Sequence, residues 1–168
     1  MTALVVLAGL PGTGKTTISR TLAARSGALH LRIDTIETAI CASTLAPGNA
    51  ADAGYLVARS QAVDFLAARH SVIIDCVNQW EMTRDWFTEL NPKHSRLVTC
   101  EITCTDEHEH RRRVESRRAD LPGHRLPSWL DVQARDYHPW VDCELHIDTA
   151  RIEPETAAGL IFKAMTTN

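Results

Sequence analysis

The sequence predicts an α/β fold, a parallel sheet with helices on both faces. Three observations carry this. Apolar runs alternate with amphipathic stretches along the whole chain, as repeated strand–helix–strand units require. The first run, Ala3-Leu4-Val5-Val6-Leu7-Ala8, is apolar without interruption, which suits the centre of a sheet covered on both sides. A glycine-rich turn, Gly9 to Gly14, then joins that run to the first amphipathic stretch.

Taken in order, Lys15–Arg25 reads as a helix with Ile18, Leu22 and Ala23 near helical spacing, and Ala28–Ile33 as a second short strand. Thr35–Thr44 is predicted helical and ends before Pro47-Gly48-Asn49, a loop signal. Ala51–Arg69 is a longer helix whose stripe is Tyr55, Ala58, Ala62, Phe65 and Leu66. Ser71–Asp75 is a third strand. Asn78 with Glu81 reads as a capping pair for a helix over Gln79–Leu90. Arg96–Thr103 is the fourth strand, and Thr105 is placed to cap the next helix, with Asp106 and Glu107 in its first turn. Arg111–Arg125 is arginine-rich and broken by Pro122-Gly123. A helix over Ser128–Tyr137, a fifth strand over Cys143–Ile147 and a closing helix from Pro154 to about Thr166 complete the reading.

The 168 residues suit one domain, with no internal repeat or linker. Hydrophobic residues at 44% and charged residues at 23% are a globular mix that argues against disorder. A net charge of -3 gives no overall pull toward nucleic acid or membrane, and 5% aromatics argue against a base-stacking platform. No stretch is long and apolar enough to span a bilayer. Met1–Pro11 lacks a basic start and reads as a buried strand rather than a signal peptide. Five scattered cysteines without a CxxC pair read as reduced thiols, and a cytoplasmic location is expected.

Gly9-Leu10-Pro11-Gly12-Thr13-Gly14-Lys15-Thr16 matches G-x-x-x-x-G-K-[ST] in full, after a strand and before a helix. Glycines let the backbone wrap a phosphate chain, so that consecutive N–H groups and the helix N-terminus face the anion. Gly9, Gly12, Thr13, Gly14, Lys15, Thr16 and Thr17 are therefore expected to hold a nucleoside triphosphate, with the Lys15 ammonium on the outer phosphates and the Thr16 hydroxyl on Mg²⁺.

Ligands of a parallel sheet gather at the carboxyl ends of its strands. Val72-Ile73-Ile74-Asp75 is an apolar strand closed by an acid, a Walker B pattern; Asp75 is expected on Mg²⁺, or else as a helix cap. Asp34 closes His30-Leu31-Arg32-Ile33 and has three readings: general base for an acceptor hydroxyl, organiser of Mg²⁺, or cap of the helix at Thr35. Glu37, one turn later, can line the same pocket, with a solvated helix face as the favoured reading. In His110–Arg118, Arg113 and Arg117 share a helical face and can bring positive charge to phosphates, so a lid is expected around 111–127; a solvated basic face is the alternative. Cys100, Cys104, His108 and His110 are read as core and helix residues rather than a zinc site. Trp80, Trp86, Trp129 and Trp140 are read as core or pocket wall.

The loop Gly9–Thr16, Asp34, Asp75 and Arg113-Val114-Glu115-Ser116-Arg117 together resemble the small P-loop kinases, among them chloramphenicol phosphotransferase, gluconate kinase, adenylylsulfate kinase and the kinase domain of polynucleotide kinases. Chains with this pattern are grouped as AAA-family ATPases or kinases. The resemblance implies a three-layer α/β/α, nucleoside-kinase-like P-loop NTPase fold with five parallel strands in the order 2-3-1-4-5. It also implies ATP with Mg²⁺ as donor, Asp34 as base, and Arg113 and Arg117 as lid arginines. Polynucleotide kinases tend to have Ser and Arg where this chain has Ile33 and Glu37, which disfavours a nucleic-acid acceptor. No guanine-reading N-K-x-D is present; Asn91-Pro92-Lys93-His94 is not one. The expectation is a kinase for a small-molecule hydroxyl, against a polynucleotide 5'-hydroxyl kinase or a non-kinase ATP-binding module. The acceptor is expected between the loops after strands two and three, helices Thr35–Thr44 and Ala51–Arg69, Asn78 and Trp80.

Overall fold

The computed structural model describes residues 2–45, 50–90 and 95–167; the loop signal at Pro47-Gly48-Asn49 and the segment Asn91–His94 lie outside them. In chain order the elements are β1 (Thr2–Ala8), α1 (Lys15–Ser26), β2 (Leu29–Arg32), α2 (Ile33–Ala42), α3 (Ala53–Ala67), β3 (Val72–Asp75), α4 (Glu81–Thr88), β4 (Ser95–Thr103), α5 (Glu107–Ser116), α6 (Trp129–Gln133), β5 (Leu145–Asp148) and α7 (Pro154–Thr166). All strand pairs are parallel and the order is β2-β3-β1-β4-β5. The register sets Leu4 beside Val72 and Leu97.

Strand alternation divides the core into two. Ala3, Val5 and Leu7 of β1 pack with Ile18 and Leu22 of α1 and Ala158 and Ile161 of α7. Leu4 and Val6 face the other way, onto Ala58, Ala62 and Leu66 of α3 and Phe87 of α4. Every residue of β1 is buried, which explains why its sequence does not alternate. Among the described residues no helix is long and apolar enough to cross a membrane.

Several element ends differ from the sequence reading, each for a local reason. β2 stops at Arg32 because its partner β3 ends opposite it, at Asp75. Ile33 then turns into the core at 2% exposure and starts α2. Asp34 is thus inside the first helical turn and caps nothing with its side chain. Asn78 does not cap α4: it sits at φ 50 in the turn before Trp80, with its side chain buried, and α4 starts only at Glu81. Asp106, not Thr105, caps α5 by accepting from Glu109 N–H at 3.0 Å, because the Thr105 hydroxyl goes to Asp148 at 2.5 Å. α5 ends at Ser116, so Arg117 leaves the helix in extended backbone and shares no helical face with Arg113. Ser128 and Asp131 form a capping box for α6, but that helix stops at Gln133 because His138 N–H turns to Gln79 O and Tyr137 reaches Glu101. Cys143 precedes β5, its thiol directed at Leu145 O.

Candidate active site

The phosphate loop connects β1 to α1 in a conformation that needs glycine. Gly9 has φ +145, and a Cβ there would stand 2.2 Å from Ile102 O; Gly12 has φ +85, and a Cβ would stand 2.5 Å from Val114 Cγ2. The loop is braced from three directions. Gly9 N–H donates to Val77 O at 3.0 Å, His110 Nε2–H donates to Pro11 O at 2.8 Å, and the Thr149 hydroxyl lies 2.9 Å from Thr13 O. The His110 ring in turn meets Trp129 edge-on at 5.2 Å.

Lys15 is buried with its ammonium folded into the loop, donating to Gly9 O at 2.7 Å and Leu10 O at 2.8 Å. Burial lowers its pKa, against the opposing pull of Asp75 and Asp34. Asp75, also buried, accepts from His30 Nε2–H at 3.0 Å. Burial pushes the Asp75 carboxyl up, but His30, Lys15 and the Thr16 hydroxyl outweigh it and hold the group below its ordinary value. Asp75 therefore stays an anion in a dry setting, next to a hydroxyl. A hard-oxygen pair of this kind fits Mg²⁺.

Two cavities meet at Lys15 and Thr16. The smaller, about 330 Å³, is lined by Gly12, Gly14, Thr17, Arg20, Arg113 and Arg117. The larger, about 710 Å³, holds Asp34, Glu37, Tyr55, Asp75, Gln79 and Trp80, and is closed by a wall from His124 to Arg135. Of the residues predicted from sequence, Gly12, Gly14, Lys15, Thr16, Thr17, Arg113 and Arg117 line the first cavity, Asp34 and Asp75 face the second, and Gly9 and buried Thr13 line neither. Arg113 is not free: it donates to Glu109 at 2.7 Å, to the Thr149 hydroxyl at 2.8 Å and to Thr149 O at 3.1 Å. Asp34 has Arg32 Nη2 at 3.3 Å and the His124 ring at 3.9 Å.

Of the two readings of Glu37, the pocket wall holds and the favoured solvated face does not. It lines the larger cavity, and burial, with Asp34 adding to it and Arg135 opposing, pushes its carboxyl up to about 7. Asn78 does not line this cavity; its carbonyl is held by buried Arg84 at 2.9 Å, whose guanidinium lies between the rings of Tyr137 (5.7 Å) and Trp140 (5.4 Å). Sequence reasoning missed His30, Tyr55 and Thr149; the 124–135 wall overlaps the lid expected around 111–127 and carries Trp129, read as core or pocket wall. His30 alone left a trace, a histidine within a strand two residues from its end.

Residues 4–135 match the family model described as AAA domain. The chain belongs to this AAA domain family. Its fold is that of the P-loop kinases. A sugar kinase from Janibacter, solved without ligand, superimposes with a TM-score of 0.71 at 21% identity, covering 99% of this chain and 96% of that one. Kti12 from Chaetomium thermophilum, solved with ADP-AlF3, gives 0.70 at 19% identity over 98% and 100% of the two chains. A gluconokinase from Sinorhizobium meliloti gives 0.62 at 19% identity over 96% and 94%. No curated protein matches the chain by sequence.

Proposed function

We propose that this AAA domain protein is an ATP-dependent kinase that moves the γ-phosphoryl group to a hydroxyl of a small molecule. The observation that carries the reading is the junction of the two cavities. A cradle lined by the phosphate loop and arginines opens, at Lys15 and Thr16, into a second chamber with a carboxylate, Asp34, on its wall. An ATPase needs no such chamber. The likeness to a sugar kinase and a gluconokinase supports a polar hydroxyl compound as acceptor.

In this reading the loop N–H groups and Lys15 hold the phosphates. Thr16 and Asp75 would hold Mg²⁺, which supplies charge neutralisation on the phosphate oxygens. Asp34 takes the proton of the acceptor hydroxyl as its oxygen bonds to the γ-phosphorus and the bond to the ADP oxygen breaks. Arg117, past the end of α5, and Arg20 bring positive charge to the transferring group. The segment after α5 serves as the lid, pinned at Asp120 by Arg20 (2.6 Å) and buried Arg32 (2.8 Å).

An ADP-release screen over hydroxyl metabolites and 5'-hydroxyl oligonucleotides tests the activity. Release without any acceptor would make the protein an ATPase, and release only with oligonucleotides a polynucleotide kinase. Asp34→Asn tests the base: a fall in kcat of about 10²–10⁴-fold is expected with ATP affinity kept. Since Asp34 caps nothing through its side chain, melting temperature should hold. An undiminished kcat refutes the role.

A further inference from the structure

We infer that the acceptor is an amino alcohol, its hydroxyl at Asp34 and its protonated amine at Glu37. This rests on the kinase reading and deepens it. Asp34 and Glu37 are three residues apart on α2, on one helical face, and both line the larger cavity. The seat of Glu37 is built from the facing helix. At Gly54 of α3 a Cβ would stand 2.5 Å from Glu37 Cγ and 3.0 Å from its Oε1, so any larger residue displaces the side chain. A glutamate destined for solvent needs no such accommodation.

The two carboxyls differ in their partners. Asp34 is matched by Arg32 and faces His124. Glu37 makes no hydrogen bond or ion pair within contact distance among the described residues. The cation that acts on it, Arg135, gives its Nη1 to Gln79 Oε1 at 2.9 Å. Burial has already raised the Glu37 carboxyl, and Arg135 offsets this only in part, so the chamber holds a carboxyl whose charge is incompletely matched. A neutral acceptor would displace water and leave that group still incompletely matched, whereas an ammonium supplies the charge. Tyr55 and Trp80 on the same cavity add aromatic surface that favours a cation. The other charges of the chamber do not reverse this: Asp131 is held in the cap of α6, Lys15 and Asp75 lie at the nucleotide end, and Arg125 is exposed. Along the α2 wall an anionic acceptor would meet two carboxyls of its own sign, Asp34 and Glu37.

Matched triplets test the inference: 2-aminoethanol, ethylene glycol and glycolate; D-glucosamine, D-glucose and D-gluconate. Each is titrated calorimetrically into the protein saturated with AMP-PNP and Mg²⁺, and assayed for ADP release with ATP. The amine of a triplet should bind at least about tenfold more tightly than its neutral and anionic partners, and E37Q should erase most of that preference while nucleotide affinity is kept. Tighter binding of a neutral or anionic member, a preference that survives E37Q, or no amine binding in either triplet overturns the inference. Turnover of a neutral or anionic acceptor would sink the amine while leaving the kinase intact. Amine binding without phosphoryl transfer would leave the amine site and remove the kinase.

Discussion

Replacing Glu37 by glutamine should flatten the pH dependence of stability. Burial, with the Asp34 charge one turn away and Arg135 only partly offsetting both, lifts the Glu37 carboxyl from 4.5 to about 7. For a fully sealed group that rise corresponds to about 3 kcal/mol. Glu37 keeps partial contact with water, so screening reduces the expected effect to about 1–2 kcal/mol. The folded protein binds this proton more tightly than the unfolded chain does. The contribution is therefore complete below pH 4.5 and is lost as pH rises through about 7. The other groups around it are Asp34, the Arg135 guanidinium and the Tyr55 phenol, which burial pushes further above its usual value and out of the range. E37Q carries no such proton. Relative to wild type it should gain about 1–2 kcal/mol between pH 5 and pH 8, or about 3–6 °C in melting temperature for a chain of this size. Differential scanning calorimetry of both proteins across that range measures the gap. A gap that stays constant, or narrows toward pH 8, refutes the buried-carboxyl argument and with it the view that Glu37 lies in the chamber rather than in solvent. The same experiment guards the binding test, because a variant that is more stable at pH 8 cannot lose amine preference through unfolding.

Lys15→Ala removes the ammonium and leaves the Gly9 and Leu10 carbonyls without their donor, so affinity for a non-hydrolysable ATP analogue should fall at least about tenfold by calorimetry; unchanged affinity contradicts the phosphate-loop reading. Arg113 and Arg117 should separate: Arg113→Ala breaks the bonds to Glu109 and Thr149 and should lower melting temperature along with turnover. Arg117→Ala should lower turnover at unchanged melting temperature, since Arg117 lines the phosphate cavity without an ion pair among the described residues, and equal thermal losses would count against this division.

The phosphate loop was legible because its information is local. Eight consecutive residues, Gly9–Thr16, specify the loop, and their glycines answer backbone demands that any sequence of this kind must meet. The covered faces of the sheet follow from the same kind of local pattern, whereas the strand order was implied only by the family resemblance. Local signals misled where a long-range partner won. Thr105 is a good cap by composition, but Asp148, brought alongside by β5, captured its hydroxyl and left the cap to Asp106. Asn78 is a good cap too, yet Arg84 holds its carbonyl in a left-handed turn. Tyr137 has the spacing of a helix and instead reaches Glu101.

The larger cavity is built almost wholly from such distant contacts, and this is why the sequence favours a solvated face for Glu37 over a pocket wall. Its position on α2 reads as surface when α2 is considered alone; what buries it is α3 across the cavity. The trace of that arrangement in the sequence is Gly54, near the start of a helix where alanine would be better by up to about 1 kcal/mol. Gly54 continues the buried row of Ala58, Ala62 and Leu66 at four-residue spacing, a row that alanine would continue equally well. Nothing in the backbone demands a glycine, for α3 is regular there and Gly54 has no positive φ. The demand comes from the Glu37 side chain, 2.5 Å from where a methyl would stand. A helical glycine that its own helix does not require marks the point at which another element's side chain approaches, and here that side chain is Glu37 on the wall of the larger cavity.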